Sequence, residues 1–590
     1  MRLLTLLLAA PLLAAAPAAE IKIDIKVDQV GYLTNSPKVA LLASQSAAAQ
    51  SGAAQSPASE FTVRGAKDDA VAFRGKLSDP VDDRDSGDRV QSADFSALHG
   101  SGTYYLDIPG AGRSWNFEIG PDVDSRAWYL AMRSYYGQRC GIAVDLGPEF
   151  PGFRHDACHL EGAWHASSGK TGPRVSKGGW HDAGDYGRYV VNSGLSTGTL
   201  LWAWEFFGPR LKNLKLNIPE SGNGTPDVLN EVRWNLDWML SMQDDDGGVW
   251  HKQTSEKFPG FVMPEKDKLI SYVVGTGQEP FKSSCASGDL SAVMAIAGRA
   301  FKPFDAAYAA RCLRAAHAAW TWTEKYPDVA YRNPEGVTTG GYGDRNCGDE
   351  HLWAAAELWR TTGEDVYHRY FLDHYADYRK SIRPDGPAGW PNVSNMALWT
   401  FVLGHGKDGH GKDGHGKDAG DAEAVNAIRQ DSLRAADQIV ERTAANGYRI
   451  SLTSRDYIWG SNSVAANYGM QLVVANAFQV NPRYLETALE NLHYLLGRNT
   501  FSLSFVTQVG ANPFRHPHHR PSGADSNPGP WPGLLSGGPN RGRQDAAMRQ
   551  LPAGLPPAKM YLDDQAAYSA NEVAINWNAP LVFLLAAALR

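Results

Sequence analysis

Lys177–Val190 reads KGGWHDAGDYGRYV, and its two carboxylates, Asp182 and Asp185, stand three residues apart in Asp-Ala-Gly-Asp. Gly178 and Gly179 precede the pair and Gly184 lies inside it, so the backbone can bend sharply and hold both acids at the rim of a cavity. Trp180 and Tyr186 flank them. An aromatic ring stacks on a pyranose while a carboxylate handles a proton or a water, so this composition suits sugar chemistry. The same residues also fit an Asx turn that caps the next helix.

Working outward from this stretch, the chain has two characters. Upstream, Ile21–Ile119 reads as strands: Ile21, Ile23, Ile25 and Val27 alternate strictly with polar residues. Val39–Ala43, Phe61–Val63, Val71–Phe73, Thr103–Ile108 and Ser114–Ile119 follow, separated by Gly, Pro, Asp and Ser clusters. About seven short strands in roughly 100 residues predict an immunoglobulin-like sandwich over residues 20–120, without the bridging cysteines of antibody domains. From about Asp122 onward the apolar period changes to near 3.6. Thr225-Pro226 opens a helix, and Val228, Leu229, Val232, Leu236, Met239 and Leu240 form its apolar stripe. Similar patterns near 124–138, 189–206, 287–301, 305–325, 350–361, 366–380, 422–443, 463–478, 482–496 and 572–589 predict about eleven helices. Long Gly/Pro-rich loops between them suit a closed ring of helical hairpins over residues 121–590, with a site built from loops at one end. A helical solenoid competes, but no fixed short repeat is visible.

The chain has 590 residues, enough for more than one domain. A formal net charge of -7 speaks against nucleic acid as a partner. Eighteen Trp and 24 Tyr suggest an aromatic-lined cleft, although most such rings belong to a core. Met1–Ala19, MRLLTLLLAAPLLAAAPAA, reads as a secretory signal, and no later run of about 18 apolar residues suggests a membrane span. The expected product is exported, periplasmic or secreted, and a monomer. Five cysteines, an odd and sparse set, do not read as a disulfide framework, so some thiols should be buried or metal-bound. The pentamer GHGKD occurs three times over 404–418. Histidine-rich tracts can bind metal, while Gly-rich charged pentamers more often form a solvated loop, the reading preferred for 404–418.

Two further constellations carry chemistry. Ser504–Arg520, SFVTQVGANPFRHPHHR, gathers His516, His518, His519 and Arg520 behind prolines, donors for sugar hydroxyls or for a carboxylate. A basic surface loop is the plainer reading. Tyr561–Ala579, YLDDQAAYSANEVAINWNA, puts Glu572 just before the apolar last helix, near Tyr568 and Trp577. A carboxyl in such surroundings has the raised pKa a general acid needs, or simply favours the helix dipole.

These three stretches together resemble the family-nine glycoside hydrolases, cellulases built on an (α/α)6 barrel. Ser504-Phe-Val-Thr-x-x-Gly510-x-Asn512-x4-Pro517-His518-x-Arg520 matches one signature of that family, and Tyr561-x-Asp563-x4-Tyr568-x3-Glu572-x-Ala574-x3-Asn578-Ala579 matches another. The N-terminal strands, with Gln29-Val-Gly-Tyr32, look like the immunoglobulin-like domain that precedes many such barrels. One departure is Gln508, where many relatives carry glycine; the GHGKD insertion is another. The resemblance implies Glu572 as general acid, Asp185 as general base and Asp182 as its partner in holding the water. It also implies His518 and Arg520 as substrate contacts, Tyr568 as a cleft wall and Asp563 as a site carboxylate. Trp180 is the expected stacking ring.

Cys140, Cys158, His159 and His181 offer two sulfurs and two imidazoles, a tetrahedral zinc set at spacings that match no finger motif. Buried thiols and loop histidines are the alternative. The resemblance implies a structural zinc on a similar set, which would brace the catalytic loop. Glu220, Asn223 and Asp227 are spaced around glycines as in a calcium loop. The resemblance implies calcium near Asp349-Glu350, and either pair of segments could instead be a helix start. No organic cofactor is expected. The implied activity is inverting hydrolysis of β-1,4-glucosidic bonds in cellulose-like or mixed-linkage glucans, endo-acting in the leading reading. Exo action on cello- or glucosamine oligosaccharides is the runner-up, and a non-catalytic carbohydrate-binding protein comes last.

Overall fold

The computed structural model describes residues 21, 24–45, 58–405 and 419–590. The signal segment and residues 406–418 of the GHGKD tract lie outside the described residues. The N-terminal strands form two sheets. One is ordered Ile25–Lys26, Val39–Gln45, Asp88–Asp94, Val81–Asp83; the other is ordered Gly31–Leu33, Phe117–Gly120, Gly102–Ile108, Glu60–Gly65, Val71–Lys76. Their facing side chains, among them Tyr32, Leu42, Phe61, Leu106 and Phe117, make one core. Val39–Ala43 serves two cores at once: Ala40 and Leu42 point into the sandwich, while Val39, Leu41 and Ala43 join the core of the helical domain. That double burial explains why this stretch is a continuous apolar run. The last sandwich strand ends at Gly120 and the first helix begins at Ser125.

The Gln29-Val-Gly-Tyr segment locks the two parts together. Asp28 Oδ2 pairs with His493 Nδ1 at 2.7 Å, and Gln29 donates to Leu496 O and Ser502 O. Gln29 Oε1 accepts from Asn512 N, within the Ser504–Arg520 signature. Gly497, at φ +132°, lets the Gln29 side chain in: a Cβ there would meet it at 2.8 Å.

Six helices form an inner ring: Val190–Leu211, Ser284–Phe301, Gly348–Thr362, Ser394–Gly404, Ser461–Phe478 and Ile575–Ala588. Each packs on the next and the last closes on the first. Ser125–Gly137, Asp227–Ser241, Ala306–Lys325, Asp365–Tyr378, Ala419–Ala445 and Pro482–Leu495 pack outside them, an (α/α)6 barrel. The outer helices show the amphipathic stripe read from the sequence, because one face meets water. Ser394–Gly404 (SNMALWTFVLG) escaped that reading because it is buried almost all round and so has no period. The Thr225-Pro226 helix starts at Asp227, with Pro226 in the cap position.

Two features of the barrel domain were not legible. A sheet is ordered Pro173–Val175, Glu161–Trp164, Ser271–Val274, Lys252–Thr254, Arg188–Tyr189, and its last strand follows the Asp182–Asp185 loop directly in the chain. Its strands of two to four residues are too short to show alternation. Cys285 and Cys347, 62 residues apart, form a disulfide between the starts of two neighbouring inner helices. The cysteine count had argued against a disulfide framework; one bridge exists because the ring brings those helix ends together, which spacing alone does not reveal.

Candidate active site and metal centre

Three segments from distant parts of the chain are laced into one layer. The Asp182–Asp185 loop is closed by Asp182 N donating to Gly187 O at 2.9 Å. Arg520 N and Arg520 Nη1 both donate to Gly184 O, at 3.0 and 2.8 Å. His518 N donates to Asn571 O, and His518 pairs with Glu572 in a parallel bridge. Ile575 N then donates to Asp182 O at 2.8 Å, returning to the first segment. Gly184 is required by contact: a Cβ there would lie 1.9 Å from His518 O.

The acids face a cleft of about 800 Å³ walled by Phe258, Tyr342, Trp390, Trp459, Tyr568 and Trp577. Asp182 has both oxygens engaged: Asn192 Nδ2 donates to Oδ1 at 2.6 Å and Tyr342 Oη to Oδ2 at 2.7 Å. Asp185 receives Gly187 N at 3.0 Å and Tyr189 Oη at 3.3 Å, both on Oδ2, so its Oδ1 has no protein donor among the described residues. Burial, then the neighbouring Asp185 charge, pushes the Asp182 pKa up to about 7, against the pull of the Asn192 and Tyr342 donors. Glu572 is raised well above the carboxylate range by burial first, and then by Asp185 and Asp182. A carboxyl with a raised pKa and one with a free oxygen, lining the same cleft, can supply an acid and a base.

His518 and Tyr568 line the cleft. His518 Nδ1 bonds Gln565 O at 2.7 Å, burial lowers its pKa, and Nε2 has no protein partner among the described residues. Arg520 reaches the cleft wall, but its guanidinium holds Pro259 O and Gly184 O, which makes it a bracket for the Asp loop as well. Two expected contacts are corrected. Trp180 is fully buried, donates to Glu231 Oε1 at 2.9 Å and packs on Tyr135, so it offers no face to a sugar. Asp563 is outside the cleft lining: it accepts Arg515 N and His516 N at 2.8 Å, pinning the segment that carries His518. Asn192, Tyr189, Tyr342, Trp390, Trp459 and Phe258 were not foreseen. Tyr342 had a faint signal, an aromatic inside Gly340-Gly-Tyr-Gly, and it sits at φ +43°. Gln508 sits at φ +58°, held by Nε2 donating to Pro530 O at 2.6 Å.

Cys140, Cys158, His159 and His181 converge, each offering one ligand atom within 4.8 Å of the other three. His159 Nδ1 is buried without a hydrogen-bond partner, while its Nε2 faces Asp267 Oδ2 at 3.3 Å. That is the arrangement of a metal-ligating imidazole oriented by a carboxylate, and the donor set fits a closed tetrahedral site. Cys140 N bonds Gly179 O and His181 N bonds Gln138 O, so the centre is continuous with the Asp loop.

The two calcium readings separate. Glu220 is committed to Arg139 at 2.9 Å, Asn223 to Asn230 and Thr225, and Asp227 Oδ2 to Leu216 N and Ser221 Oγ. Those oxygens engage protein donors and hold the start of Asp227–Ser241, while Asp227 Oδ1 is buried without a hydrogen-bond partner among the described residues. At the second place, Asp349 and Glu350 meet Asp289 and Asp344. Burial above all, and then their mutual repulsion, raises Glu350 and Asp289 far above the carboxylate range, and Asp349 stands at about 6, chiefly through burial. Both oxygens of Asp289 and of Glu350 are buried without a hydrogen-bond partner among the described residues. Partnerless buried carboxylates are costly, and a hard divalent cation is the fitting partner.

Residues 125–585 match the model of glycosyl hydrolase family 9, and residues 21–113 match the cellulase N-terminal ig-like domain. The chain belongs to glycosyl hydrolase family 9. This family 9 chain is 36% identical to Endoglucanase D of Acetivibrio thermocellus over 95% of its own length and 83% of that protein's. It is 34% identical to a cellodextrinase of Butyrivibrio fibrisolvens, over 96% of this chain and 99% of that one. Among solved structures, a Zn-binding triple mutant of the family 9 endoglucanase J30 superposes with a TM-score of 0.83 at 34% identity, covering 95% of this chain and 99% of that one. The enzyme is a glycoside hydrolase with an N-terminal immunoglobulin-like domain. No helix among its described residues is long and apolar enough to cross a membrane.

Proposed function

We propose that this family 9 enzyme is an exported, inverting endo-β-1,4-glucanase in which Glu572 is the general acid, Asp185 the general base and Asp182 its partner. The observation that carries the roles is the asymmetry of the acids. Burial and the charge of its neighbours raise the Glu572 pKa well above the ordinary carboxylate value, as a proton donor to the glycosidic oxygen needs. Asp185 keeps Oδ1 free for a water, whereas Asp182 has both oxygens held and fixes the loop. Glu572 would protonate the departing oxygen while the water held by Asp185 attacks the anomeric carbon from the opposite face. His518 Nε2 and the aromatic walls would hold the sugars. Cys140, Cys158, His159 and His181 would hold a structural zinc with no open coordination position, bracing the Asp loop without taking part in the reaction. Asp344, Asp349 and Glu350, with Asp289, would hold a calcium that neutralises their charge.

The exposed rings along the cleft, Phe258 at 46% and Trp459 at 39%, favour a chain lying across it. Viscometry of carboxymethylcellulose, read against reducing ends released, tests the endo assignment. A steep early fall in viscosity is expected, and glucose or cellobiose released at constant viscosity would mean exo action. Proton NMR of the first product should show the α-anomer; an initial β-anomer would overturn the inverting roles. N-terminal sequencing of the exported enzyme should begin near Ala18–Glu20, and retention of Met1 in an exported product would sink the cleaved-signal reading.

A further inference from the structure

A second convergence of metal-type donors lies at the two ends of the GHGKD tract. His368 belongs to the helix Asp365–Tyr378, His405 directly follows Ser394–Gly404, and Asp421 stands in the first turn of Ala419–Ala445. One ligand atom from each lies within 4.8 Å of the other two. His368 Nε2 is 2.7 Å from Asp421 Oδ1, and His405 Nε2 is 3.5 Å from Asp421 Oδ2. Asp421 is 2% exposed, and its Oδ2 and His405 Nε2 are both buried with no hydrogen-bond partner among the described residues. His405 Nδ1 bonds Phe401 O at 2.8 Å, which fixes the ring with Nε2 toward the carboxylate. Trp359 packs against both imidazoles, at 5.3 and 4.7 Å between centroids.

A His-Asp-His hydrogen-bond bracket would account for His368 Nε2 and Asp421 Oδ1 alone. It leaves Asp421 Oδ2 and His405 Nε2 desolvated, within charge-pairing range at 3.5 Å but with no hydrogen bond between them, a costly arrangement. We propose that His368, His405 and Asp421 form a site for a borderline divalent cation, of the class of Zn²⁺, Co²⁺ or Ni²⁺, which prefers imidazole with one carboxylate. The cation clips together the two ends of the insertion and three helices of the barrel. It takes no part in hydrolysis: Trp390 lines the cleft just before the first residue of Ser394–Gly404, and His405 follows its last. A helix of 11 residues separates them by roughly 16 Å.

The test uses the untagged, full-length enzyme, titrated with Co²⁺ and with Zn²⁺ beside His368→Gln, Asp421→Asn and the double variant His410→Ala/His415→Ala. The wild type is expected to bind one more metal per chain than His368→Gln or Asp421→Asn. Its Co²⁺ spectrum at that site should lack the thiolate charge-transfer band of the Cys140/Cys158 centre. Loss of one ligand should weaken the site at least tenfold and remove the share of the rise in melting temperature that its metal supplies beyond the Cys140/Cys158 centre, with hydrolysis unchanged. The double variant should keep the site. His368→Gln, whose wild-type side chain is 12% exposed, decides the matter if Asp421→Asn fails to fold. Equal metal content in wild type and His368→Gln would overturn the proposal. So would loss of the extra metal in the double variant alone, which would place it in the tract.

Discussion

Gly184→Ala isolates the contact that sets the spacing of the acids. A Cβ at this position would lie 1.9 Å from His518 O and 2.9 Å from His518 C, both backbone atoms. An ordinary carbon–oxygen contact is about 3.3 Å, so the two segments must part by more than about 1 Å. They cannot part evenly, because Arg520 holds Gly184 O from one side and Ile575 N holds Asp182 O from the other. The shift therefore falls between the loop that carries Asp182 and Asp185 and the bridged His518–Glu572 pair. A misplacement of about 1 Å costs on the order of 100-fold in rate, and overpacking of this kind costs about 1–3 kcal/mol in stability. Initial rates on a soluble cello-oligosaccharide, taken well below the melting temperature of the variant, should show the loss in kcat more than in KM. Circular dichroism should report a native fold. A folded Gly184→Ala enzyme that keeps kcat within about threefold of wild type would refute the spacing argument.

Glu572→Gln should lower kcat on oligosaccharides by roughly 10²–10⁴-fold, and much less on an aryl glycoside whose leaving group needs no proton; equal losses on both substrates would remove Glu572 from the acid role. Asp185→Asn should be more damaging than Asp182→Asn, because only Asp185 has an oxygen free for the water, and the reverse order would exchange their roles. Asp182, pushed up to about 7, must ionise to work beside the base, so activity should rise with pH through that range. Tyr342→Phe deletes a donor that stabilises the ionised form, so the acid limb of kcat/KM should move to higher pH; no shift, or a shift to lower pH, contradicts this. Cys158→Ser should lose about one zinc per chain and melt at lower temperature while the product anomer is unchanged, and a full zinc complement in that variant would exclude the four-residue centre.

The site was legible where its chemistry depends on residue type in a short spacing. Asp182-Ala-Gly-Asp185 could be read because glycines let a loop bend and present its acids, and the Glu572 segment because its spacing resembles a family signature. The same reading misplaced Trp180, since an aromatic beside a catalytic loop packs inward or outward according to what lies behind it, and here Glu231 and Tyr135 lie behind it. It misplaced Asp563 for a related reason: a carboxylate within a signature holds the backbone as readily as it meets substrate. Asn192, Tyr342 and Trp390 have no local signature at all, because their only relation to the acids is through space.

By itself the sequence determined the two-part architecture, through a change of apolar period from two to 3.6 that follows from side-chain geometry on strands and helices. It also determined the chemistry available, since acids, imidazoles and thiols are countable. Tertiary structure alone decided how those groups are used. The packed fold joins Cys285 to Cys347, gathers Cys140, Cys158, His159 and His181 beside the Asp loop, and buries Asp289 near Glu350. The lacing of residue 184 to 518 and of 572 to its neighbours raises one carboxyl and leaves an oxygen of another free. Burial and distance between segments hundreds of residues apart are properties of the packed chain, and they give carboxyl side chains of like chemistry different proton affinities and different free oxygens.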